Sequence, residues 1–298
     1  MIKQTTRETS AILARSITRA GSRQTYFTAS LMVDKSLVDE FYKAYAYFRW
    51  ADDYIDITSQ TRDERISFAQ RQRNLIDDLY NQKRPNNLEP EEKIVADLIS
   101  KDNGNNSGLK SFIINMFAVI EFDAFRKGRL IDQSELDWYS SRLSQSVTDG
   151  LQYFIGNNSQ YPEGENHYLA AHAAHITHLL RDMKRDIRDG FINIPQEYLD
   201  EQGISPGDVE SPSFRDWVQN RVELARKYFH EGKVYLDSLD VLRCKVMGYW
   251  YCARFEGVLD IIERDGYILR DDYHMRFVRL KMLWIFLIKT IQHQRRLK

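Results

Sequence analysis

Apolar positions recur at three- and four-residue intervals along most of the chain. Leu37, Phe41, Ala44, Tyr45 and Phe48 follow one such stripe, and Val258, Ile261 and Ile262 follow another. That period is the signature of α-helices laying one face on a core, whereas strand-type alternation is scarce. The prolines stand at 85, 90, 162, 195, 206 and 212, so long stretches lack the residue that breaks helix interiors. The pattern predicts about ten helices in a single all-α domain spanning the whole chain. Breaks are expected at Arg84 to Pro90, Asp102 to Gly108, Gly156 to Glu165 and Pro195 to Pro212, where turn-forming residues gather.

Composition adds little to this and excludes more. Hydrophobic residues make up 43% of the 298 residues, enough for a substantial core, and the net charge of -1 gives no reason to expect nucleic acid. Two cysteines, Cys244 and Cys252, form no CxxC pair and suit a reducing cytoplasm. The first residues carry no apolar run, so no signal peptide is expected. There is no dinucleotide-binding glycine motif, no P-loop and no internal repeat. The stretch Met282 to Ile288 is too short to span a bilayer. With Lys289, Arg295, Arg296 and Lys298 it would make an amphipathic tail able to touch an anionic membrane surface. The preferred reading is a core-facing last helix with a solvated end.

Two aspartate clusters carry the candidate chemistry. One lies in Tyr47-Phe48-Arg49-Trp50-Ala51-Asp52-Asp53-Tyr54-Ile55-Asp56, the other in Leu180-Arg181-Asp182-Met183-Lys184-Arg185-Asp186. Asp52 and Asp56, and likewise Asp182 and Asp186, are four residues apart, which puts each pair on one helix face. Asp53 is expected to point about 100° away from Asp52. Carboxylates set among aromatic residues are costly unless they are paired or bind metal. The second cluster alone reads as a salt-bridged helix. The small, apolar run from Ala170 to Leu180 before it suits the wall of a deep cavity instead. Facing pairs would hold divalent cations bridging a diphosphate, with arginines beside them, and an apolar helical cavity would hold a hydrocarbon chain. Aromatic faces would stabilise the carbocation left when diphosphate departs. This reading reaches a metal-dependent enzyme acting on prenyl diphosphates.

The same residues resemble the squalene/phytoene synthase family. Ser22-Arg23-Gln24-Thr25-Tyr26-Phe27 is similar to its flap segment. Tyr45 to Asp56 is similar to its first motif, Tyr-x-x-Cys-Arg-x-x-Asp-x-x-x-Asp. Leu179 to Asp186, continuing through Arg188-Asp189-Gly190 to Pro195-Gln196-Glu197, is similar to its second. The resemblance implies an all-α isoprenoid-synthase fold with a central apolar cavity and head-to-head joining of two farnesyl or geranylgeranyl diphosphates. Asp52, Asp56, Asp182 and Asp186 would then coordinate two or three Mg²⁺ ions. Arg49 and Arg181 would contact diphosphate. Tyr26, Tyr45, Phe48, Tyr139, His175, His178, Tyr251 and Phe255 would meet substrate, Tyr26 at the flap. NADPH is not indicated, and reductive members of the family lack a dinucleotide motif too.

Departures from the family pattern sit beside the aspartates. His175 and His178 replace Gln-x-x-Asn, and Leu143 to Asp149 replaces a glycine-containing segment. Arg185 replaces a glutamate, Phe255 a tyrosine, and Asp272 an arginine that has Arg270 and Arg276 as neighbours. Three other readings therefore stand beside the leading one. A divergent member could ionise a single prenyl diphosphate for cyclisation, hydrolysis or transfer. A non-catalytic binding protein could keep the fold. An iron-binding helix bundle could use Asp and His, although paired Glu-x-x-His motifs are missing. The histidines 172, 175 and 178 read either as helix-face residues bonded to neighbours or as groups near the diphosphate.

Overall fold

The structure is a computed structural model that describes residues 2–59, 61–102, 108–156, 159, 161, 164, 166–273 and 284–292, with side chains from Thr9 onward. It is all-α, as expected. Eleven α-helices lie within the described residues: α1 (Ile2–Gly21), α2 (Arg23–Met32), α3 (Val38–Asp53), α4 (Arg62–Tyr80), α5 (Pro90–Ile99), α6 (Gly108–Arg126), α7 (Gln133–Ile155), α8 (Leu169–Asp189), α9 (Gln196–Gln202), α10 (Pro212–Ser238) and α11 (Leu242–Arg264). A further helical segment covers 284–292. Among the described residues the one β-type contact is an isolated parallel bridge between Ile131 and Pro195. The chain divides into two compact units, Met1–Phe125 with Asp149–Asn158, and Arg126–Thr148 with Ser159–Lys298.

In the first unit α3 is the central helix. Its apolar stripe buries Tyr42, Ala44, Ala46, Tyr47, Phe48 and Ala51. Thr18 of α1 donates to the Tyr42 carbonyl at 3.2 Å. Two ion pairs tie α3 to the far side, Lys43 to Asp97 and Glu40 to Lys101. The Tyr47 hydroxyl donates to Gln72 Oε1 at 3.0 Å, and Gln72 Nε2 donates to Glu92 at 2.7 Å. A buried phenol therefore keeps a partner and adds little cost. Sequence signals set the helix starts. Ser22 caps α2 through its hydroxyl, and Thr61 with Glu64 forms a reciprocal capping box on α4. Pro90 opens α5 at the first helical position, where a missing N–H costs nothing.

In the second unit α8 lies against α10 and α11. Gly232 of α10 meets the backbone of Ala170 so closely that no side chain would fit between them. Gly190 ends α8 with φ +90, a left-handed conformation natural to glycine, and its carbonyl accepts the Gly128 N–H at 2.8 Å.

Two expectations need correction. The stretch Pro195 to Pro212 is not wholly irregular, because Gln196–Gln202 forms the short helix α9, closed by Gly203 at φ +61. Proline at its N-cap starts this helix and does not prevent it. The late apolar segment is not core-facing as a whole either. Trp284 is 65% exposed and Phe286, Leu287, Ile288 and Ile291 are exposed with it, while Lys289 is the buried residue. The Lys289 ammonium sits over the Tyr249 ring at 3.7 Å and bonds Asp237 at 2.8 Å, which turns the apolar side chains outward. The loop expected at Asp102 to Gly108 lies mostly outside the described residues, as does Arg276.

Candidate active site

In the first unit, Arg49, Asp52 and Asp53 end α3. The four-residue spacing predicts Asp56 one α-turn beyond Asp52, and here the structure differs. Tyr54–Thr58 form a π-helical turn, closed by the Ser59 N–H donating to the Tyr54 carbonyl at 2.9 Å. Asp56 is thus placed by a turn that holds one residue more, a local device common at functional sites. The side chains on this turn are firmly held. The Tyr54 ring stacks on Phe68 at 3.9 Å, and Ile55 is 1% exposed.

Asp52 keeps 46% of its side-chain surface in solvent, yet its carboxyl is pushed up to about 7. Desolvation by the surrounding protein leads, followed by repulsion from Asp56 and from Asp123 of α6, while Arg49 opposes them. Arg49 is mostly engaged elsewhere. It forks Asp53, with Nε donating to Oδ2 at 3.0 Å and Nη2 to the other oxygen, and stands 3.8 Å from Asp52. The expected aromatic residues surround this corner. Phe48 is buried edge-on against Phe112 at 5.2 Å, and Tyr45 lies alongside Gly21. Tyr26 is helical and stacks on Tyr42 at 4.9 Å. It also lines an open recess of about 500 Å³ with Arg15, Arg19 and Arg23.

In the second unit, α8 carries His172, His175, His178, Arg181, Asp182, Arg185 and Asp186. Asp182 is caged by two guanidinium groups and an imidazole. Arg181 forks it with Nε and Nη2 donating at 2.9 and 2.7 Å, Arg185 Nη2 approaches to 2.9 Å, and His178 Nε2 stands 2.9 Å away. Desolvation raises this carboxyl, but the bonds from His178 and Arg181 win and hold it well below the usual carboxylate range. Asp186 accepts from Asn193 Nδ2 at 3.1 Å, and the Asn193 oxygen accepts from Arg126 Nη1 at 2.8 Å. Arg126 in turn lies over Tyr139 at 4.6 Å and Phe191 at 5.2 Å. Tyr251 meets Phe255 edge-on at 5.0 Å, burial pushes its phenol up to about 12, and Phe255 faces His178 at 6.2 Å. The segment from Leu143 fills with small polar residues, for Ser144 and Ser146 are both buried. At Gly150, one turn on, Phe112 leaves no room for a side chain.

Each unit therefore gathers its own aspartate cluster with arginines and aromatic residues beside it. Three residues escaped the sequence reading. Asp123 stands near the end of the largely apolar α6, two residues after Glu121, and this pair of carboxylates was the available signal. Asn193 lies inside the segment that trails the second cluster, and Arg126 is the last residue of α6; both are buried. Among the described residues no three His, Cys, Asp or Glu side chains gather closely enough to hold a metal ion by themselves.

Comparison with known proteins gives the family. The pattern of the squalene/phytoene synthase family matches residues 18–282. The presqualene diphosphate synthase of Sinorhizobium fredii is 27% identical over 173 residues, covering 57% of this chain and 57% of that protein. That of Rhodopseudomonas palustris is 24% identical over 186 residues, covering 61% and 62%. A chloroplastic phytoene synthase from an Oncidium hybrid is 30% identical over 100 residues, covering 32% and 24%. The chain thus spans less than two thirds of the length of these relatives. Among solved structures, squalene synthase HpnC from Alicyclobacillus acidocaldarius superposes with a TM-score of 0.69 at 19% identity, over 88% of this chain and 95% of that one. A dehydrosqualene synthase gives 0.69 at 15% identity, over 98% and 99%. At such identities the structural likeness speaks for the fold alone, while the family pattern covers most of the sequence, and the chain belongs to the squalene/phytoene synthase family.

Proposed function

We propose that this protein is a Mg²⁺-dependent prenyltransferase that joins two prenyl diphosphates, farnesyl or geranylgeranyl, head to head with release of diphosphate. The observation that carries the proposal is the crowding at Asp52. A carboxylate pressed by two others, in a desolvating corner beside an arginine, is a site short of positive charge. Mg²⁺ is ordinarily held by one or two carboxylates together with waters and substrate phosphates, so side chains alone need not complete its shell. Asp52 and Asp56 fit that role, and in the second unit Asp182 and Asp186 fit it too. On this reading both clusters serve the diphosphates within one 298-residue synthase domain around an apolar cavity.

Bound magnesium would neutralise the diphosphate and so favour its departure as a leaving group. Arg181 forks a carboxylate now, and the same planar donors can fork a phosphate when diphosphate arrives. Arg49 is placed to do likewise from Asp53. Aromatic side chains beside each cluster, Phe48 in the first unit and Tyr139 and Phe255 in the second, would stabilise a developing carbocation on this reading. The exposed Trp284, Phe286, Leu287, Ile288 and Ile291, followed in sequence by Arg295, Arg296 and Lys298, support contact with an anionic membrane into which an apolar product could pass. No described helix is long and apolar enough to cross one. Incubation with each diphosphate and Mg²⁺, with and without NADPH, followed by product mass spectrometry, tests the proposal. A product with twice the prenyl carbon number is expected. A product with one chain's carbons would favour single-substrate ionisation, and no diphosphate release would end both readings.

A further inference from the structure

Histidine 175 lies in the middle of α8 and is 3% exposed. Both of its ring nitrogens lack a hydrogen-bond partner among the described residues. A histidine kept for packing ordinarily bonds at least one nitrogen, and leaving such a group unsatisfied costs about 1–3 kcal/mol. Ser140, next to the Tyr139 against which the His175 ring lies at 5.2 Å, has an unpartnered buried hydroxyl as well. Thus α7 and α8 together hold two polar groups waiting for something absent from the folded chain.

The position of His175 says what that is. It precedes Asp182 by seven residues, which is about two turns and about 10.5 Å along the helix on nearly the same face. A prenyl chain whose diphosphate is held at Asp182 and whose tail lies along α8 would therefore pass His175 with its hydrocarbon part. Burial and the neighbouring His178, His172, Arg126 and Arg221 all hold this imidazole far below the usual histidine range, so a lone pair stays available. His172 differs from it in being only half-buried.

Resting on the ionisation proposed above, we infer that His175 is the proton acceptor that ends the carbocation stage. A C–H bond adjacent to the cationic carbon breaks, its electron pair becomes the new C=C bond, and the proton passes to an imidazole nitrogen of His175. The electrons balance without an outside reductant. A weak base suffices because a carbocation is a far stronger acid than any imidazolium. The protonated ring is disfavoured beside Arg126 and Arg221, so it passes the proton to water as product leaves, and the neutral base is restored.

The test compares wild type with His175→Gln, which keeps size and polarity without basicity, and with His175→Phe, all checked for folding by circular dichroism. With prenyl diphosphate and Mg²⁺, the products of each protein are counted per diphosphate released, which removes any change in the ionising step from the comparison. The olefin fraction of the Gln variant should fall at least about tenfold in favour of water-captured alcohols or a retained cyclopropyl diphosphate. Unchanged products from the Gln variant would overturn the inference, as would a wild-type product formed only with a hydride donor. A second readout needs no turnover. Nitrogen-15 imidazole shifts of the substrate-free protein should report neutral His175 at pH 6, and an imidazolium there would overturn the inference while leaving the proposed ionisation standing. Absence of diphosphate release from wild type would remove that ionisation itself.

Discussion

The two aspartate clusters share a spacing in sequence and have opposite electrostatics. Asp52 faces Asp56 and Asp123 and holds its proton up to about neutral pH. Asp182 faces Arg181, Arg185 and His178 and gives its proton up far below that. The cause lies in what surrounds each helix. The end of α3 is lined by aromatic residues and by a carboxylate from α6, whereas α8 brings its own cations at neighbouring positions. The first cluster is short of positive charge before anything binds. The second is already satisfied by its own arginines. On the function proposed above, one spacing would serve two tasks, recruiting a metal at Asp52 and releasing donors at Asp182.

Substitutions should separate these tasks. Asp52→Asn and Asp182→Asn are each expected to lower kcat/KM for diphosphate release by about 10²–10³, as loss of a principal charge-stabilising group does. Their binding behaviour should then diverge. Without Mg²⁺, Asp182→Asn frees Arg181 and Arg185 and should bind inorganic diphosphate several-fold more tightly than wild type in calorimetry, while Asp52→Asn should not. Equal behaviour would break the comparison. Arg181→Lys keeps the charge and loses the fork, and a drop of about 10–100-fold in kcat/KM is expected from steady-state kinetics. Asn193→Ala removes the donor to Asp186 and an acceptor of buried Arg126. About a tenfold loss of activity is expected, with on the order of 1–3 kcal/mol lost in denaturant unfolding.

The smallest effect is the dependence of stability on pH. The folded carboxyl of Asp52 is raised above its unfolded value, so its protonated form favours folding. That contribution is complete below about pH 4 and is lost as pH rises through about 7. Asp182 is shifted downward, so its contribution is present above the unfolded carboxylate range and is lost as pH falls from that range through the lower folded one. Nearly half of the Asp52 side chain meets solvent, so its share is on the order of 1 kcal/mol at most. Asp52→Asn should accordingly raise the apo-protein Tm at pH 8 by about 2–4 °C and leave it unchanged at pH 4.5. Mg²⁺ with diphosphate should abolish the difference.

Much of this could be read from the residues in order. Helical spacing, proline placement and capping signals report local choices, and α4 with its Thr61–Glu64 box or α5 with Pro90 follows them directly. The aspartates and their flanking arginines were visible for the same reason. What escaped depended on long-range neighbours. Asp123 matters because α6 carries it near Asp52, 71 positions away in the chain. The cage around Asp182 looked like an ordinary salt-bridged surface because sequence gives spacing without saying which rotamers converge. Spacing left two readings of the segment around Trp284, and the contacts of Lys289 with Asp237 and Tyr249, which are long-range, accompany the exposed one.

The π turn at Tyr54–Thr58 makes this stretch unusually sensitive to chain length. Deleting one residue there would restore ordinary helical spacing and swing everything beyond it by about 100°. Such a deletion would spare the start of α4, which begins afresh at the Thr61 cap, but it would also pull the Tyr54 ring off Phe68 of that helix or shift the buried Ile55. Chain length at this one turn thus sets the bearing of Asp56 and the packing of α4 together, so the carboxylate is not redirected without disturbing the fold beside it.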